Sequence, residues 1–210
     1  MDAIDAAYAK NILIFAAASN YGNLADIAFP GRLYVTGKVI CMFSTDANAR
    51  ALSSFNPSPS SAARYNFTIL GEGITLPPKT DERLSGTSFA AVIGAAIAGH
   101  ILDFSRHKDM YNKPRRVDIL KRLKTVQGMS AVFSKMVRGA VDNRYHCMAP
   151  WKILPPQQAT GDRVSERAHV CETISRQWKI CMASKNGWYL AVDIHVQMRH
   201  NFKLRSGKSA

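Results

Sequence analysis

The chain is 210 residues long and 47% apolar, with 28 Lys and Arg against 15 Asp and Glu. A chain of this size buries about 70% of its unfolded surface in a real core, which excludes wholesale disorder. Its formal net charge of +13 would suggest a nucleic-acid binder, but residues 1–100 carry 7 basic and 7 acidic side chains while residues 101–210 carry 21 and 8. The basic character belongs to the second half alone.

The opening residues, Met1-Asp2-Ala3-Ile4-Asp5, are acidic where a secretory leader is basic. The longest apolar stretch, Phe89 to Gly99, spans about 11 residues, well short of the roughly 20 of a membrane span. An intracellular protein with no membrane partner is expected. Cys41, Cys147, Cys171 and Cys181 show no C-x-x-C spacing and read as free thiols.

Along the chain, Asp2 to Lys10 is Ala-rich with apolar residues at Ile4, Ala7 and Tyr8, a short helix ending near Asn11. Ile12 to Ala18 is a continuous apolar run, the pattern of a strand buried on both faces of a parallel sheet. A second run, Gly37 to Ser44, follows after the turn residues Pro30-Gly31. Ser53 to Ser61 reads as a loop, Phe67 to Leu70 as a short strand, and Gly71 to Asp81 as a Gly/Pro-bearing connection. From Thr87 to Phe104 the residues are small and apolar on all sides, as in a helix that runs through a protein interior. A helix among buried strands predicts an α/β fold.

The motifs in this half resemble those of the subtilisin-like serine proteases, the subtilases. Leu84-Ser85-Gly86-Thr87-Ser88-Phe89-Ala90 is similar to the family's G-T-S-x-A nucleophile motif. Phe15-Ala16-Ala17-Ala18-Ser19-Asn20-Tyr21-Gly22 is similar to the strand end and turn that carry its oxyanion asparagine. Phe29-Pro30, Val39-Ile40, Ser44-Thr45-Asp46 and Ser53-Ser54-Phe55 fall between them in the family's order. The resemblance covers residues 1–104 and looks closest to fungal multidomain members. It implies a partial doubly wound, largely parallel subtilisin-like sheet with a buried nucleophile helix, occupying residues 1–154 and followed by a basic tail, 155–210.

By that resemblance, Ser88 is the nucleophile, Asn20 an oxyanion donor, Thr87 a possible support for the oxyanion, and Ala16, Ala17, Ala18 and Ser19 the floor of a substrate pocket. Chemistry gives independent reasons for these residue types. A serine at a helix N-terminus has its own N–H and the helix dipole directed at a developing oxyanion. An asparagine at a strand end offers a neutral second donor, and losing one such donor costs about 10²- to 10³-fold in rate, a figure that comes from subtilisin itself. Taken alone, each motif has a plainer reading: Gly86-Thr87-Ser88 as a helix cap and Asn20 as a turn residue.

A nucleophilic serine needs a base and an acid to orient it. Only 19 residues precede Asn20, so the family's Asp and His motifs and its substrate-binding Ser-x-Gly strand have no counterpart here. His100 lies 12 residues along the same helix from Ser88, about 18 Å away at 1.5 Å per residue. It cannot be the base, and His107, His146, His169, His195 and His200 have no motif around them. Val92 stands where the family has a proline. The expected function is therefore serine-type peptide-bond hydrolysis of a peptide or protein substrate, with base and acid supplied by an upstream segment or a partner chain. A catalytically dead interaction module is the alternative.

Residues 105–127 form a basic stretch in which Val117, Leu120 and Leu123 recur at helical spacing, the mark of a solvated amphipathic helix. An anion or nucleic-acid role for this half is weaker, because no aromatics are interleaved for base stacking. Gly128 to Leu154 reads as the last ordered piece of the domain. After Pro155-Pro156 only Trp188 to Met198 alternates like a strand. With no metal-ligand cluster and no phosphate-cradling loop in the sequence, no cofactor is expected.

Overall fold

The computed structural model describes residues 3–51, 55–76, 79–106, 116–138 and 144–153. The expected basic tail, including Trp188 to Met198, and residues 107–115 of the basic stretch lie outside the described residues.

The apolar runs do form a parallel sheet. Helix α1 (Ala3–Ala9) leads into β1 (Phe15–Ala17), β2 (Ile40–Thr45) and β3 (Phe67–Leu70). The four-stranded sheet has the order β1, β2, β3, then β6 (His146–Cys147), with every neighbouring pair parallel. An α/β class with a largely parallel sheet is thus present. All six residues of β2 and all four of β3 are buried, including the polar Ser44, Thr45 and Thr68. β1 lies at the edge of this sheet and is only partly buried, with Ile12 just before it 53% exposed.

Side chains alternate across the sheet and build two cores. Ile40, Met42, Phe67 and Ile69 face the larger one, with residues of the helices α2 (Thr87–Arg106), α3 (Arg116–Leu123) and α4 (Val126–Met136). Ala16, Ala18, Cys41 and Phe43 face the smaller one, closed by Tyr34 of the 3-10 turn Gly31–Thr36 and by Tyr145. Ile4 of α1 packs against this second cluster, and the Asp5 carboxylate pairs with the Lys38 ammonium at 2.6 Å.

Three sequence expectations need correction. First, α2 is not buried all round. Its face through Ala90, Gly94, Ile97 and Ile101 lies in the core, while Ser88, Val92, Ala95 and Gly99 are exposed. The sheet and α3 cover one side of this helix, and no second layer covers the other among the described residues. α2 is also, among the described helices, the one long and apolar enough to cross a membrane, with 44% of its apolar window buried. Second, the Gly71–Asp81 connection contains an antiparallel hairpin of β4 (Ile74–Leu76) and β5 (Lys79–Leu84). Its β5 side chains Asp81, Glu82 and Arg83 are exposed, so no apolar alternation announced it. Third, the buried stripe of α3 is Ile119 and Leu123, at 2% and 0% exposure, while Val117 is 61% exposed. The i, i+4 pair faces the larger core, and Val117 lies off that line.

Helix α4 follows from a local signal that sequence inspection missed. Thr125 sits in extended backbone just before it, and its hydroxyl oxygen accepts a hydrogen bond from the Gly128 amide. That is an N-cap. Cys41 and Cys147 are buried free thiols, as expected, while Cys171 and Cys181 lie outside the described residues.

Candidate functional site

Parallel strands that run the same way bring their carboxyl ends to one edge, and there the chain is stitched together by backbone bonds. The Gly71 amide, just past β3, donates to the Thr45 carbonyl at the end of β2. The Gly86 amide, just before α2, donates to the Gly71 carbonyl at 2.8 Å. The start of α2 is thereby held at the carboxyl edge of the sheet, the edge where open α/β sheets bind ligands.

The close approach depends on glycine. A Cβ on Gly71 would lie 2.5 Å from Ser44 Oγ and 2.8 Å from the Gly86 carbonyl. Gly86 has φ +157°, and a Cβ there would meet the Asn20 side-chain amide at 3.0 Å. The Asn20 amide therefore rests on the bare backbone of Gly86.

Asn20 itself follows β1, and hydrogen bonds among Thr87, Ser19 and Asn20 lock its turn to α2. The Thr87 amide donates to Asn20 Oδ1 at 2.8 Å, and the Thr87 hydroxyl lies 3.0 Å from the same oxygen. That hydroxyl also lies 3.1 Å from the Ser19 carbonyl and accepts from the Ser19 amide at 3.3 Å. Thr87 is fully buried. Its hydroxyl is thus occupied in clamping the turn and is not directed at the space beside Ser88. Ser19, at φ +151°, occupies backbone that serine rarely adopts, and the Thr87 clamp holds it there.

The direction of the Asn20 amide follows from donor chemistry. A backbone N–H can only donate, so the atom facing Thr87 N is the oxygen and the NH₂ points the other way. Asn20 is exposed and its NH₂ has no acceptor among the described residues. Of the first amides of α2, Thr87 N–H donates to Asn20 and Phe89 N–H to the Gly86 carbonyl at 3.1 Å. The Ser88 N–H has no acceptor among the described residues, and the Ser88 side chain is exposed. Two unused donors and one free hydroxyl therefore occur at a single helix N-terminus. The plain reading of the cap is also satisfied, though by Asn20 rather than by Ser88.

The expected pocket floor is placed differently. Ala16 and Ala18 are 5% and 0% exposed and point into the smaller core with Tyr34 and Phe43, and Ser19 is 7% exposed. Ala17, on the alternate face of β1, is half-buried. Val92 lies 69% exposed on an unbroken α2.

Neither described histidine reaches Ser88. His100 lies three turns along α2. His146 pairs with Phe67 at the amino end of β3, about 13 Å along the strand from the edge that holds Ser88. His107, His169, His195 and His200 lie outside the described residues.

No protein-family model matches the chain, and no curated protein matches it.

Proposed function

We propose that the Ser88 corner is the nucleophile and oxyanion half of a subtilisin-like peptidase site, on a subtilisin-like sheet. Ser88 Oγ attacks the scissile carbonyl. The Ser88 N–H and the Asn20 NH₂ receive the oxyanion, and Thr87 holds the Asn20 amide in its orientation. The serine proton passes to a histidine oriented by an aspartate, both supplied by an upstream segment or a partner chain. The observation that carries this reading is the Asn20 amide, whose oxygen is fixed by Thr87 while its NH₂ stays unused beside an exposed Ser88. The strained backbone at Ser19 supports it, since such strain concentrates at functional sites.

The second reading, an interaction module with no catalysis, is favoured by the absence of any hydrogen bond to Ser88 Oγ among the described residues. A fluorophosphonate probe separates the two. Slow, stoichiometric labelling of the folded chain that disappears in Ser88→Ala supports the peptidase half-site. Folded protein that takes up no label supports the module.

A further inference from the structure

We propose that His146 is an acid-operated latch, which holds β6 on β3 while its Nδ1 is unprotonated and lets that corner open when the ring takes up a proton. This inference is independent of the chemistry at Ser88. The corner is a reciprocal pair: the Asn66 amide donates to His146 Nδ1 at 3.1 Å, and the His146 amide donates to the Asn66 carbonyl at 2.8 Å. Protonated Nδ1 is itself a donor and would face the Asn66 N–H donor to donor. Asn66 is 6% exposed, so its amide has little access to water as a substitute.

Among the described residues no carboxylate pairs with the imidazole. The imidazole stands edge-on to Tyr65 at 5.4 Å and to Phe67 at 6.1 Å. The charged groups among the described residues of the adjoining segments include Arg64, over the Tyr65 ring at 5.3 Å, and Arg144, over the Tyr145 ring at 5.9 Å. Arg138 and Asp46 act on the neighbouring thiol Cys147. Burial pushes the His146 imidazole below its ordinary value of 6.5. The stabilisation is therefore complete above about pH 6.5 and is lost as pH falls through the lower folded-state value.

β6 does more than extend the sheet. Arg138 N–H donates to the Cys147 carbonyl and Ala149 N–H to the Met136 carbonyl, so the end of α4 hangs on this strand. Opening the His146 corner loosens α4 and leaves the Ser88 edge, at the other end of β3, in place.

The test uses the full chain. Nitrogen NMR of the imidazole should show Nδ1 unprotonated at pH 7.5 and a titration midpoint below 6.5. A protonated Nδ1 at pH 7.5, or a midpoint at or above 6.5, overturns the latch. In parallel, amide protection of His146 and Met148 should fall relative to the β1–β2 ladder by up to about tenfold per pH unit between about pH 6.5 and the midpoint, and level off below it. His146→Asn, whose side-chain oxygen can accept the same proton without titrating, should show no such relative loss. Equal loss in both proteins also overturns it.

Discussion

Asn20 and Asn66 both stand where a strand meets another element, yet they use their amides in opposite ways. Asn66 is buried and fully engaged: Oδ1 accepts from the Tyr34 hydroxyl at 2.9 Å, and Nδ2 donates to the Arg144 carbonyl at 2.9 Å and the Ser60 carbonyl at 3.3 Å. Asn56 follows the same rule, with Oδ1 accepting from the Ser44 amide and Nδ2 donating to the Ser44 and Ala51 carbonyls. Asn20 is exposed and engages only its oxygen. A saturated asparagine holds the fold together, whereas a half-saturated, oriented one at a sheet's carboxyl edge retains donor capacity for something that arrives from solution.

Removing each amide sharpens the contrast. Asn66→Ala orphans the buried Tyr34 hydroxyl proton and removes the donor to two part-buried carbonyls, and should cost about 3 kcal/mol of unfolding free energy by urea titration. Gly71→Ala drives a methyl against Ser44 Oγ and the Gly86 carbonyl and should cost about 2 kcal/mol. Ser44 Oγ is buried without a hydrogen-bond partner among the described residues, so Ser44→Ala should be close to neutral and should lessen the Gly71→Ala penalty. Asn20→Ala removes a helix cap and should cost about 1 kcal/mol. If it costs as much as Asn66→Ala, the two asparagines are structural alike and the contrast collapses.

The smallest effect concerns the thiols. Burial pushes the Cys41 thiol up to about 12, and burial likewise raises Cys147. Neither should be alkylated by iodoacetamide in the folded protein at pH 8, as peptide mapping would show, because the thiolate is the reactive form. Rapid modification at either position would mean that the smaller core or the β6 corner opens readily.

Where one physical signal decides the structure, the residues announced it. The apolar run through Phe43 forms a strand buried on both faces, whereas the similar run through Ile14 forms a partly buried edge strand, a difference that depends on what covers each strand. Gly86 and Asn20 stood out because few residue types satisfy a positive φ or a strand-end cap. Other features depend on partners that are distant in sequence. Thr87 reads like a neighbour of the nucleophile, but its hydroxyl is taken up by Ser19 and Asn20, 68 and 67 residues away. Ala16 and Ala18 read like a pocket floor until the sheet's alternation turns them into the smaller core. The exposed face of α2 was illegible because its small apolar residues suit a covered helix and an uncovered one equally. The β6 strand is two residues long and carries no periodicity.

The proposed oxyanion site requires the Asn20 NH₂ as a donor beside Ser88. The most direct measurement is the rate at which a fluorophosphonate modifies Ser88 in folded wild-type and folded Asn20→Ala protein, with the adduct located by peptide mass spectrometry. If Asn20 serves as that donor, a single adduct on Ser88 forms about 10²-fold more slowly in the variant. Equal rates in the two proteins, or an adduct that persists in Ser88→Ala, would contradict it.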